Sequence, residues 1–345
     1  EGNLRVEENL GEGYVRLRVS EAERRQAKHD IQHVEDIVIE MLRNARDAGA
    51  DKVYLATTKE DGVRTLVFLD NGSGVPQDMQ ERIFDARVTS KLESMKMDRW
   101  GVHGRGMALF SIKQNTDEAR VVASDVDLGS VFKVSVATDR LGERADQSSW
   151  PQAVKDEDGH YVCARGPHNI IRAACEFALE ELRACDVYLG SPSEIAATLH
   201  AQASSRLDAS RLLFIDDEAE LPVVDRLGLA SDAEDFIRIC SGLGLEMSER
   251  TAHRILAGQI KPVRGVTARL LRERDSSSHA PAPVDLAKDR RGLRIAKDDM
   301  AQFSRAVERD FNDLAARYYL NLCGDPKIRV SRDRITVTFD LAKEE

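Results

Sequence analysis

Glu40-Met-Leu-Arg-Asn44-Ala-Arg-Asp-Ala-Gly-Ala50 closes a run in which Ile31, Val34, Val38, Met41, Leu42, Ala45 and Ala48 recur at steps of three and four. That spacing predicts an amphipathic helix or helix pair, because such positions share one face of a 3.6-residue repeat. Ser20-Glu-Ala-Glu23 has the form of a capping box ahead of it, and Gly49 suits a left-handed cap at its end. Glu40 and Asn44 lie one turn apart on a common face and can converge on one ligand. A carboxylate so placed orients and deprotonates a water, and an amide oxygen beside it completes the shell of a hard cation such as Mg²⁺. A solvated helix face carries the same two residues, so Glu-x-x-x-Asn alone does not decide.

Downstream, Lys52 to Thr57 and Val63 to Leu69 are β-rich runs joined across Glu60-Asp-Gly62, as in a hairpin. Asp70-Asn-Gly-Ser-Gly74 ends the second run. A carboxylate at a strand end can accept a hydrogen bond from the amino group of adenine, while Gly72 and Gly74 let the main chain approach a flat ring and turn toward a short helix opened by Pro76. An ordinary Asn-Gly turn has the same composition. Asp85 to Arg99 is polar and aperiodic, predicting a mobile loop, and contains Lys91. Gly101-Val-His103-Gly104-Arg105-Gly106 then precedes a predicted helix reaching Gln114. Its backbone N–H groups and the helix N-terminus can hold phosphate oxygens, with Arg105 and Lys91 adding charge. The absence of a Gly-Lys-Ser/Thr ending excludes a P-loop, and no predicted strand immediately precedes Gly101, which excludes a Rossmann turn. Strands near Arg120 to Ser124 and Ser130 to Ala137, with Gly129 at their turn, make this half α/β or α+β.

The 345 residues predict two domains, 1–142 and 143–345. Apolar residues make up 42%, and no apolar run approaches the ~20 residues that span a bilayer, so a soluble, non-membrane protein is expected. Five cysteines without a Cys-x-x-Cys pair or a secretory leader point to reduced thiols in a cytoplasm. The net charge of −10 disfavours a surface that holds nucleic acid over its whole extent. Beyond a polar stretch from Gly142 to Gly159 the pattern predicts helices at 169–184, 193–202 and 232–243, hence a mainly helical second domain. Within it, 232–262 has the spacing of a helix-turn-helix, and 246–274 holds seven basic and three acidic residues. Arg250, Thr251 and Arg254 are the candidate groove-facing side chains for DNA; two packed helices with a solvated face fit as well. Arg274 to Pro283 has a linker composition, Met300 to Leu322 a helical spacing, and Lys327 to Leu341 the pattern of a strand pair.

Taken in order, Glu40 to Ala50, Asp70 to Gly74, Thr89-Ser-Lys91 and Gly101 to Leu109 resemble the boxes of the GHKL (Bergerat-fold) ATPases over about residues 20–140. MutL-type mismatch-repair ATPases and type IIB topoisomerase B subunits are the nearest likeness. The resemblance implies an α+β, two-layer sandwich with a mixed sheet and helices on one face, and ATP and Mg²⁺ as cofactors. It implies Glu40 as general base, Asn44 as Mg²⁺ ligand, Asp70 as adenine anchor, and Gly101 to Gly106 as a lid on the phosphates. Ser130 stands where the family usually has Thr and would contact the adenine side through water, while Met107 stands where MutL proteins typically carry Glu. A Lys from a following domain often completes such sites, and Lys261 is a guess for it. The implied function is an ATP-hydrolysing conformational switch acting on DNA, with homodimerisation implied by the same resemblance. The alternatives are an ATP-responsive DNA-binding regulator with little hydrolysis and a histidine-kinase-like phosphotransferase, although His29 and His33 leave no room for a separate phosphoacceptor helix pair.

Overall fold

The computed structural model describes residues 6–90, 96–98, 100–103, 106–207, 217–271, 297–315, 320–324, 326–330 and 335–343. The chain opens with β1 (Val6–Gly11) and β2 (Tyr14–Leu17), an antiparallel pair. Helix α1 (Glu21–Asp30) starts at the expected capping box, with Ser20 and Glu23 satisfying each other's backbone. Helix α2 (Val34–Asp47) follows after a three-residue break, so the periodic run is a helix pair. Its apolar stripe of Val34, Ile37, Val38, Met41, Leu42 and Ala45 is buried. Gly49 has φ +76° and Ala50 N–H donates to Ala45 O at 3.0 Å, the bond that closes a Schellman cap.

Strands β3 (Lys52–Glu60) and β4 (Val63–Asp70) form the expected hairpin, and positive φ at both Asp61 and Gly62 makes the turn type I′. Pro76 leads into two 3₁₀ turns, Gln77–Met79 and Arg82–Phe84, rather than one helix. Part of the expected mobile loop is ordered by pairing. Strand β5 (Val88–Thr89) joins β2, and β6 (Lys96–Asp98) pairs with β7 (Gly101–His103). Helix α3 (Ala108–Asn115) precedes β8 (Glu118–Ser124) and β9 (Ser130–Ala137).

Past residue 142 come the hairpin β10 (Gln152–Lys155) and β11 (Tyr161–Arg165), α4 (Ile170–Glu180), β12 (Asp186–Gly190) and α5 (Pro192–Arg206). Helices α6 (Ala233–Gly242) and α7 (Glu249–Leu256) complete this part. The main sheet runs β12-β3-β4-β9-β8, parallel at β12-β3 and antiparallel elsewhere, so the mixed sheet and α+β class are as expected.

The expected domain boundary needs correction, because a second helical layer from beyond residue 142 covers the other face of the sheet. Strand residues alternate between two cores: Val53, Leu55, Leu66, Phe68 and Val134 pack with α2 and α4, while Tyr54, Ala56, Val67, Leu69 and Val131 pack with α5, α6 and α7. A sheet with two apolar faces needs cover on both. That cover, and the edge strand β12, come from beyond residue 142, and residues 143–271 carry strands as well as helices. The chain accordingly divides at Ser278/His279. The second unit contains α8 (Lys297–Ala315), β13 (Leu320–Leu322), β14 (Lys327–Val330), β15 (Ile335–Thr338) and β16 (Leu341–Lys343). There β14-β15 is the expected strand pair, β13 pairs with β16, and Phe311 stacks on Phe339 at 4.0 Å between ring centroids. Helix α8 is described as far as Ala315, and Leu320–Leu322, the end of the expected helix, is strand β13. The expected linker from Arg274 lies outside the described residues.

Candidate functional site

The buried stripe of α2 turns its apolar side to the sheet and leaves Glu40, Asn44 and Asp47 on the flank that borders a cavity of about 560 Å³. The same hollow is bordered by Asp70 and Gly74 from the end of β4, Ser130 and Phe132 from β9, and Val88 and Thr89 from β5. Gly106 and the first turn of α3 close it. Segments distant in sequence therefore meet around one space.

Glu40 Oε1 accepts from Arg43 Nη1 at 2.7 Å, and Arg43 is only 2% exposed. The Nδ2 atom of Asn44 is buried without a hydrogen-bond partner. An unmet buried amide costs about 1–3 kcal/mol, which a ligand in the cavity would recover. Asp47 is drawn into an ion-pair chain: Arg46 Nε reaches its Oδ1 at 3.1 Å, and Arg46 Nη1 reaches Glu181 Oε1 at 3.1 Å. Arg46, held by Asp47, thus ties α2 to the end of α4.

Asp70, 4% exposed, accepts from Gly72 N–H at 2.8 Å through Oδ1. Gly72 is not among the residues that border the cavity; a Cβ on it would stand 2.8 Å from Ala48 O and 2.9 Å from Asp70 Oδ1, so it works behind the carboxylate. Gly74, at φ +71°, would place a Cβ 1.8 Å from Asp125 O. Ser130 pairs with Asp70 across β4-β9, and its Oγ lies 3.3 Å from Ser124 Oγ. Ser124 Oγ donates to Gly129 O and accepts from Val75 N–H, each at 2.8 Å, joining both strand ends that frame Asp70.

Gly106 has φ +66°, and a Cβ there would fall 2.8 Å from Val88 O. Gly101 and His103 belong to β7, so the glycine segment begins as a paired strand instead of a loop. Lys91, Gly104 and Arg105 lie outside the described residues. Met107 caps α3 with its backbone, its O accepting from Ser111 N–H at 2.8 Å. Lys261 sits between Ile260 and Val263, which pack against the core on the sheet face opposite to Phe68 and Phe132, so this guess is not supported.

Several cavity residues were not singled out from the sequence. Arg43 was readable as the i+3 neighbour of Glu40. Gly129, the turn glycine before β9, stands behind Asp70 and outside the cavity lining: at φ +77° it would drive a Cβ to 2.2 Å from Asp70 O. Arg87, Tyr14 and Trp100 also border the hollow, yet nothing periodic marks them. Burial pushes the Tyr14 phenol up, partly offset by its bond to Ser90.

On the other face of the sheet, α7 buries Ala252 and Ile255 and exposes Arg250, His253 and Arg254. Thr251 Oγ1 lies 3.0 Å from Ser248 Oγ at the helix cap and is half-buried. Of the three candidate groove-facing residues, only the two arginines are free of the helix's own packing. Among the described residues no helix is long and apolar enough to cross a membrane.

A family model described as histidine kinase-, DNA gyrase B-, and HSP90-like ATPase matches residues 31–124, the segment that supplies Glu40, Asn44, Asp70 and Gly106. The chain carries an ATP-binding ATPase domain of this GHKL family. It is also similar to DNA mismatch repair protein MutL of Staphylococcus aureus strains Newman and JH1, with 28% identity over 136 residues. Those matches cover 36% of this chain and 20% of each MutL protein, so the chain spans about a fifth of the curated relatives it matches.

Proposed function

We propose that this chain binds ATP with Mg²⁺ in the cavity flanked by α2, β4 and α3, and hydrolyses it. The observation that carries the reading is the convergence of Glu40, Asn44, Asp70, Gly74, Gly106 and Ser130 on one hollow of nucleotide size. Asp70 accepts the exocyclic amino group of adenine, and Ser130 reaches the base through a water. Gly106 and the first turn of α3 offer backbone N–H groups to the phosphates. Glu40 orients the attacking water and takes its proton.

The donor set fits Mg²⁺. Among the described residues no three His, Cys, Asp or Glu cluster to cage an ion, whereas Mg²⁺ commonly uses one or two protein oxygens and fills its shell with water and phosphate oxygens. Asn44 supplies such an oxygen once its unmet amide is turned, since amide O and N occupy equivalent positions. When bound, the ion neutralises phosphate charge.

Turnover then resets a nucleotide-driven conformational switch, working as a homodimer, in which the exposed Arg250 and Arg254 meet DNA phosphates. A second reading is an ATP-responsive DNA-binding regulator with little hydrolysis. It is favoured by the engagement of Glu40 with Arg43 and by Met107 in place of a carboxylate.

ATP turnover with and without DNA, run beside nucleotide titration of Asp70→Asn, tests these readings. Glu40→Ala is expected to bind ATP and lose turnover, and Asp70→Asn to lose binding. Wild type that binds ATP without measurable turnover favours the regulator; wild type that binds no adenine nucleotide removes both.

A further inference from the structure

Arg87 combines three features that a structural arginine does not need. Its φ is +64°, a left-handed conformation that a long side chain adopts at a cost. The residue is 8% exposed, and its Nε is buried without a hydrogen-bond partner. The residue also borders the cavity lined by Glu40 and Asn44.

The backbone explains how this posture is held. Arg87 N–H donates to Gly106 O at 2.8 Å, and Arg87 O accepts from Leu17 N–H at 3.0 Å. The first bond ties Arg87 to the last glycine of the phosphate segment, the second to β2. Its guanidinium is paired through Nη2 with Glu23 Oε1. The other oxygen of that carboxylate is occupied at the cap of α1, accepting from Ser20 N–H at 2.9 Å and Ser20 Oγ at 3.0 Å. The Ser20 backbone bond, aided by the Ser20 hydroxyl and Arg87, holds the Glu23 carboxyl below its ordinary range.

A polyphosphate needs positive charge near the glycine segment. Among the described residues bordering the cavity the guanidinium groups are Arg43 and Arg87, and Arg43 is engaged at Glu40. Arg87 is the one that shares a backbone bond with Gly106. We infer that Arg87 is a phosphate-contacting residue of the nucleotide site, held in reserve by Glu23, and that the polyphosphate of a bound nucleoside triphosphate takes the guanidinium over from this carboxylate. The inference rests on the nucleotide-binding reading above. It names an ion-pair exchange at the phosphate end and leaves the adenine end to Asp70. It also links occupancy to α1, because one carboxylate serves both the helix cap and the arginine.

The test compares affinities of the full chain for ATP and for adenosine, which shares the base and lacks phosphates. Arg87→Asn keeps a residue that tolerates left-handed φ and removes the charge. It is expected to weaken ATP by about 10- to 100-fold while adenosine changes less than about twofold, the range for one charged hydrogen bond. Glu23→Gln is expected to tighten ATP severalfold with adenosine unmoved. Equal loss of both ligands in Arg87→Asn, or no change in either, overturns the assignment. If Arg87→Asn does not fold, Glu23→Gln decides, and no gain for ATP over adenosine overturns it. Wild type that binds adenosine and ATP equally overturns the assignment alone; wild type that binds neither overturns the nucleotide reading with it.

Discussion

Arg43 Nη1 donates to Glu40 Oε1 across 2.7 Å, so the candidate base is held by a guanidinium that is itself buried one turn along the same helix. Arg43 is buried and Glu40 partly so, and taking away the arginine leaves the carboxylate without its partner. If the pair positions Glu40, Arg43→Met lowers kcat about tenfold with KM for ATP nearly unchanged, and steady-state kinetics separate the two. A rise in kcat would identify the pair as a brake on hydrolysis.

Gly74 and Gly129 flank Asp70 at the end of β4, and each combines positive φ with a wall of backbone oxygen. Alanine at either should destabilise by about 2–4 kcal/mol, read as a lower urea midpoint. Gly258, at φ +68° with open space around it, isolates the conformational part. Gly258→Ala should cost only about 1 kcal/mol. Equal losses at all three positions would show that the wall does not matter.

A fragment ending at residue 142 should fail to fold cooperatively, whereas 1–278 should unfold as one unit. The shorter piece bares Tyr54, Val67, Leu69 and Val131, each worth about 1.5–3 kcal/mol when buried, and loses β12 from the sheet edge. Circular dichroism and thermal melting decide between them. A cooperative melt of 1–142 would restore the boundary expected from the sequence.

Burial pushes the thiols of Cys185 and Cys240 up to about 12, Cys185 with help from Glu181, while Cys323 is exposed. Raised folded values mean that this contribution to stability is complete below the unfolded pKa of ~8.5 and fades as pH climbs toward about 12. A thiol reagent at pH 8 should therefore label Cys323 rapidly and the two buried thiols only after denaturation. Rapid native labelling of Cys240 would contradict the packing of α6.

What the sequence made legible follows from locality. The stripe of α2, the Asp61-Gly62 turn and the Asp70 to Gly74 turn are each set by neighbours within a few residues, and all appear where expected. The boundary at 142 was misplaced because β12 is a parallel partner that joins β3 from more than a hundred residues away. One local clue existed: Leu66-Val-Phe-Leu69 is an unbroken apolar run, the mark of a strand covered on both faces. That Asp70 and Glu40 would border one cavity was readable because chemistry and spacing coincide there. Arg87 was not, since a left-handed arginine in an aperiodic stretch leaves no trace in composition.

The contact of Arg46 with Glu181 has a mechanical consequence. It braces the last turn of α2, one turn beyond Glu40, against the corner from which the chain enters β12. A charged pair thereby fastens the helix that carries Asn44 to the corner leading into the edge strand, so the two ends of this half of the chain are held by charge as well as by apolar packing.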